Sequence, residues 1–152
     1  VPLLYFKECE KIKNLNQLLC DLEIFAVKLQ NYHWNVTGKG FFLTHEKLEE
    51  YYEEVRKQLD EVAENIIMHG AQPFGSMEDF VKHTQITEAK NEKIKSLEII
   101  KNISKDLEIL NKDVELIKQE AEKSNDYLTS TLMDNYIEDY SKRIWMLNET
   151  IK

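Results

Sequence analysis

All four glycines of this chain fall in two short stretches, Gly38–Gly40 and Gly70–Gly75, and the second stretch also holds one of only two prolines. Everything between can be helix without an internal breaker. The apolar residues agree. Leu15, Leu18, Leu22, Phe25, Leu29, Tyr32 and Val36 recur at spacings of three and four, predicting an amphipathic helix from roughly Leu3 to Val36 that Gly38 ends. A second helix is expected from Thr44, a candidate N-cap, to Gly70, burying Leu48, Tyr52, Val55, Leu59, Val62 and Ile66.

A long connection over residues 70–87 follows, in which Ser76-Met77-Glu78-Asp79 resembles a capping box and predicts a short helix to His83. A third long helix is expected over Glu88–Lys123, with Ile94, Leu97, Ile103, Leu107, Leu110, Val114 and Ile117 apolar. A fourth runs from Tyr127 to the end, with Leu128, Leu132, Tyr136, Ile137, Tyr140, Ile144 and Leu147 inward. Two tight joins and one long middle join define an all-α four-helix bundle with a single crossover carrying a short extra helix, which is ferritin-like connectivity. At 152 residues this is one domain, residues 1–152.

The net charge of −8 argues against general affinity for nucleic acid or anionic lipid. No run approaches the roughly 18 apolar residues that would suggest a membrane span. The start, Val1-Pro2-Leu3-Leu4, does not read as a signal peptide. Cys9 and Cys20 would lie about 16 Å apart on one helix, too far to pair, so free thiols in a reducing, cytoplasmic setting are expected.

Four metal-type side chains, His45, Glu49, Asp60 and Glu64, form a stripe on the second helix within about 100° of one another. The His45/Glu49 pair lies about 22 Å along the axis from Asp60/Glu64, so one ion cannot bind both pairs of one chain. The stripe sits about 110° from the apolar stripe, flanking the core. The chain contains no Glu-x-x-His, which argues against a metal site inside one bundle. Spacing alone leaves two readings open: solvated surface, or two antiparallel copies meeting across a two-fold axis to make two equal sites. Mixed imidazole and carboxylate ligands would suit ferrous iron. Taken singly, His33 reads as a core histidine and Trp34 as a packing residue.

The segment His33-Trp34-Asn35-Val36-Thr37-Gly38, then Phe41-Phe42-Leu43-Thr44-His45, Glu49, Asp60 and Glu64, resembles the signature of the Dps-like miniferritins. The resemblance spans nearly the whole chain, including Trp145-Met146-Leu147. It implies that His33 and His45 bind iron from one subunit, with Asp60 and Glu64 supplied by the two-fold partner. Glu49 stands where the family more commonly has Asp. Trp34 would donate electrons beside a site for two irons. The family forms hollow, dodecameric shells that oxidise Fe(II), preferentially with hydrogen peroxide, and store ferric mineral against oxidative stress. Asp126, with Thr129, resembles the family's pore segment; Thr131 replaces a further expected Asp, and Asp134 is the nearby acidic candidate. A DNA-binding nucleoid shell is the alternative function. Against direct DNA binding stand the negative charge and residues 1–8, whose one basic residue is Lys7. A helical interaction protein, such as a secreted immune stimulator, is a third reading, in which the metal residues would be incidental.

Overall fold

The computed structural model describes residues 2–152, with side chains from Glu10 onward. The expectations for Cys9 and for the Lys7 segment concern side chains outside the described residues. Five helices follow in order: α1 (Pro2–Asn35), α2 (Phe41–Met68), α3 (Met77–His83), α4 (Ser96–Lys123) and α5 (Tyr127–Ile151). The pairs α1/α2 and α4/α5 pack as hairpins. α1 also packs on α4 and α3, which places it at the centre of the bundle. The predicted stripe of α1, from Leu15 to Tyr32, is buried throughout, as are Ile103, Leu107, Leu110, Val114 and Ile117 of α4. Cys20 is buried and free. Burial, and then Asp21 beside it, pushes its thiol up to about 12, so little reactive thiolate forms.

Two helix starts differ from the sequence expectation, each for a stated reason. α2 begins at Phe41, not Thr44, because Gly40 takes a left-handed conformation (φ 83°) and turns the chain straight into the helix. The Thr44 amide is already inside the first turn, donating to the Gly40 carbonyl at 3.0 Å, and the Thr44 hydroxyl is bonded to Ser96 on α4. α4 begins at Ser96, not Glu88. The preceding residues Ile94–Lys95 (β2) form a two-residue parallel bridge with Val36–Thr37 (β1), pairing Val36 with Ile94 and Thr37 with Lys95. The short crossover helix matches its capping signal: the Ser76 hydroxyl accepts from the Asp79 amide.

The core also differs at named positions. Tyr51 is buried in place of Tyr52, with its ring edge-to-face against Phe25 at 5.6 Å and the Arg143 guanidinium 3.8 Å from its centroid. Leu97 and Leu128, expected inside, are exposed in the single chain. Between α2 and α5 the links described are largely polar. Gln58 donates to Asp139 and accepts from the Tyr140 hydroxyl, and Arg143 reaches Glu54.

A buried carboxyl pair fastens the crossover. Asp21 of α1 accepts from the Thr84 hydroxyl (2.8 Å) and the Gln85 amide (2.6 Å), and the Gln85 side chain donates to both Asp21 and Asp113 at 2.9 Å. Burial first, and then Asp21, pushes Asp113 up to about 9, so it keeps its proton at neutral pH and shares it with Asp21. The unfolded chain releases that proton near the ordinary value of 3.8. The resulting stability is therefore fully present below that pH and is lost as pH rises through about 9. Asp113→Asn, which keeps a neutral donor toward Asp21, should flatten this decline. Thermal melts from acid to alkaline pH would show it; an unchanged pH slope would contradict the shared proton.

Candidate metal centre

His33 and His45 lie at opposite ends of one turn: His33 in the last turn of α1, buried, and His45 in the first turns of α2, half-buried. Gly38 and Gly40, both with positive φ, reverse the chain between them, and the Val36–Thr37 bridge holds the turn against the crossover. The two rings consequently stack, with centroids 3.8 Å apart and planes 11° from parallel.

Each ring is anchored to the other residue's backbone. His33 Nδ1 donates to the His45 carbonyl at 2.6 Å, and His45 Nδ1 donates to the His33 carbonyl at 2.7 Å. A carbonyl can only accept, so each Nδ1 carries a proton, and in the neutral ring each Nε2 keeps a lone pair. This is the arrangement that metal-ligating histidines commonly take, with one nitrogen oriented by an acceptor and the other open.

Glu49 lies one helical turn beyond His45 and is exposed, as are Asp60 and Glu64 further along α2. Among the described residues these three carboxylates form no ion pair or hydrogen bond, so they remain open to a cation. The structure brings His33 to His45 but leaves Asp60 about four turns and Glu64 about five turns away along α2. Among the described residues no three His, Cys, Asp or Glu side chains converge on one point. Trp34, next to His33, is 63% exposed.

The other singled-out residues are engaged elsewhere. Asp126 caps α5 by accepting from the Thr129 amide (3.1 Å), meets the Lys11 ammonium at 2.8 Å, and bonds His69 Nε2 at 2.6 Å. Burial would raise its carboxyl, but the hydrogen bonds from Lys11, Thr129 and His69 hold it well below the usual range. Asp134 is exposed and paired with Lys118 at 2.8 Å. His83 donates to the Asp79 carbonyl and stacks on Phe74 at 4.4 Å. Sequence reasoning did not single out Phe41 and Tyr52 as site residues, yet their rings flank the histidine pair. Their spacing from His45, four residues before and seven after, is the signal that could have found them.

Residues 12–152 match the model of the ferritin-like domain. The DNA protection during starvation protein of Helicobacter pylori is 34% identical over 133 residues, covering 88% of this chain and 92% of that protein. The Dps protein of Vibrio cholerae, described as a member of a broad superfamily of ferritin-like diiron-carboxylate proteins, matches with a TM-score of 0.93. It is 33% identical, with 97% of this chain and 92% of the other covered. Antigen TpF1 of Treponema pallidum matches with a TM-score of 0.94 at 31% identity, covering 96% and 94%. No described helix is long and apolar enough to cross a membrane.

Proposed function

Because this chain belongs to the ferritin-like domain family, among the Dps proteins, we propose that it is a ferroxidase and iron store that protects against oxidative stress. In this reading Fe(II) is the substrate, peroxide the preferred oxidant, and the sites lie between two copies of the chain within a dodecameric, cytoplasmic shell. The observation that carries it is the His33–His45 pair, whose Nδ1 anchors leave two Nε2 lone pairs, with the open carboxylate of Glu49 one helical turn on.

His33 and His45 of one copy hold an ion through Nε2, while Asp60 and Glu64 of a second, antiparallel copy complete the coordination. The two-fold axis that makes one such site makes its twin. Glu49, one turn from His45, is the carboxylate for the second, weaker iron position. Its longer arm reaches about one methylene further than an Asp.

Two ferrous ions each lose one electron to one peroxide molecule. The O–O bond breaks, two protons are taken up and two waters form, so no lone electron is delivered to release a hydroxyl radical. Carboxylates favour the ferric product, a harder and more highly charged ion. Trp34, adjacent to His33, is the residue in this reading that yields an electron when fewer than two ferrous ions are present. Asp126 and Asp134 are the pore candidates. Since Asp126 is occupied by Lys11, His69 and Thr129, Asp134 is the freer of the two.

Fe(II) and peroxide added to the apo-protein should give a ferric absorbance rise and a mineral that co-elutes with the shell. The His33→Ala/Asp60→Ala protein should lose that rise; full activity in this double variant would sink the site assignment. The negative charge also predicts no gel shift of DNA at physiological salt without divalent metal, and a robust shift would favour a nucleoid role.

A further inference from the structure

The two imidazoles sit inside a longer run of rings. Phe41, His45 and Tyr52 fall within about 40° of one another around α2, so one stripe of the helix presents all three. The Phe41 ring lies nearly parallel to His45, with centroids 5.0 Å apart and planes at 19°. His45 stacks on His33, and Tyr52 meets His33 edge-on at 5.7 Å and 70°. Each imidazole therefore has an aromatic neighbour besides the other imidazole. Tyr52 is half-buried, and the Arg56 guanidinium lies 5.7 Å from its ring centroid.

The Nδ1 hydrogen bonds fix where one edge of each ring points, but they leave the ring free to swing about that bond. The outer torsion of a histidine is broad and roughly two-fold, so nothing intrinsic to the side chain stops the swing. Ring neighbours do stop it. Offset-stacked and edge-on contacts have preferred geometries that a tilted ring would lose.

We propose that Phe41 and Tyr52 are positioning residues that clamp the His33–His45 pair, so that both Nε2 atoms are set for an ion before the ion arrives. The proposal rests on the reading that His33 and His45 bind iron. It adds that the affinity of the pair depends on rings that never touch the metal. Ordering a ligand in advance removes that cost from the binding step. Partners that orient metal ligands commonly change affinity by about 10–100-fold when lost.

The helix start gives the clamp its reach. Phe41 stacks on His45 because α2 begins at Phe41 itself, one turn earlier than the Thr44 cap would allow. Placed in a loop, the same residue would have no fixed relation to the imidazole.

The test is a titration of the apo-shell with Co(II), read by its visible absorption bands, on wild type, Phe41→Leu, Tyr52→Leu, Tyr52→Phe and His33→Ala. Melting temperature and shell mass are checked in each. Phe41→Leu and Tyr52→Leu should each weaken Co(II) binding about tenfold and alter the band shape, with shell mass unchanged. Tyr52→Phe, which keeps the ring, should restore wild-type affinity. Fe(II) oxidation by the leucine variants should show a raised KM with kcat little changed. Wild-type affinity in both leucine variants would overturn the clamp, as would a Tyr52→Phe protein as weak as Tyr52→Leu. If His33→Ala binds Co(II) as wild type does, the iron reading itself fails, and that result concerns the ligand rather than the rings around it.

Discussion

His33→Ala and Asp60→Ala shells, each nearly inactive alone, should recover about a quarter of wild-type ferroxidase activity when dissociated together and reassembled as a mixture. The fraction follows from the geometry of a shared site. Random pairing of equal amounts makes about half of the dimers mixed. In each mixed dimer, one site takes its histidines and its acids from the unmutated halves, while the twin site collects both defects. A site built within one chain gives no recovery at all, since every chain carries a defect. The readout is the initial rate of ferric absorbance, normalised to shell mass. Zero recovery from well-assembled mixed shells would exclude the two-copy site.

Asp106→Ala should be among the most destabilising single changes in the bundle. Lys28 of α1 and Asp106 of α4 are both buried, with side-chain exposures of 7% and 8%, and the ammonium sits 2.8 Å from the carboxylate. Burial raises the Asp106 carboxyl while Lys28 pulls it back down. Taking the carboxylate away leaves a cation inside the α1–α4 contact. Breaking a buried pair in this way typically costs about 3–5 kcal/mol, whereas replacing both members with apolar residues is often neutral. For a domain of this size that is a fall in melting temperature of roughly ten degrees. Lys28→Met combined with Asp106→Leu should regain most of it. Melts compared at equal protein concentration decide the matter, because any association between copies would add stability of its own. A loss of under about 1 kcal/mol for Asp106→Ala would mean that the pair is no more than a surface-type contact.

The helices were legible because breakers and apolar spacing are local signals. Leu15 to Tyr32 and Ile103 to Ile117 needed nothing beyond a period of 3.6. The starts of α2 and α4 were less legible. Thr44 has the chemistry of a cap, but its hydroxyl is taken by Ser96, fifty-two residues away. Residues 88–95 carry helical composition, yet the Ile94–Lys95 bridge to Val36–Thr37 is set by a partner strand from the far side of the sequence. Tyr51 outcompetes Tyr52 for the core because Phe25 and Arg143 receive it, again across the chain.

The candidate site divides in the same way. The spacing of His45, Glu49, Asp60 and Glu64 is helical and could be read directly. The expectation that His33 joins them came from the His-Trp-Asn resemblance and not from any periodicity. The backbone acceptors that orient the two rings have no side-chain signature, so no inspection of residue types could have revealed them. Asp126 shows the opposite limit. Its acidic character is plain in the sequence, but its engagement by Lys11 and His69 depends on α1 and on the residue that follows α2.

The reciprocal hold between His33 and His45 uses main-chain oxygens, which every substitution short of a rerouted backbone leaves in place. Changing either imidazole therefore removes a candidate ligand without releasing the other ring's anchor. The anchor points of the two rings are thus kept by the path from His33 to His45. That stretch is continuous in sequence: the end of one helix, two left-handed glycines and the start of the next. Grafted onto an unrelated helical hairpin, it would carry its backbone anchors with it, but neither the Ile94–Lys95 bridge nor the Tyr52 ring.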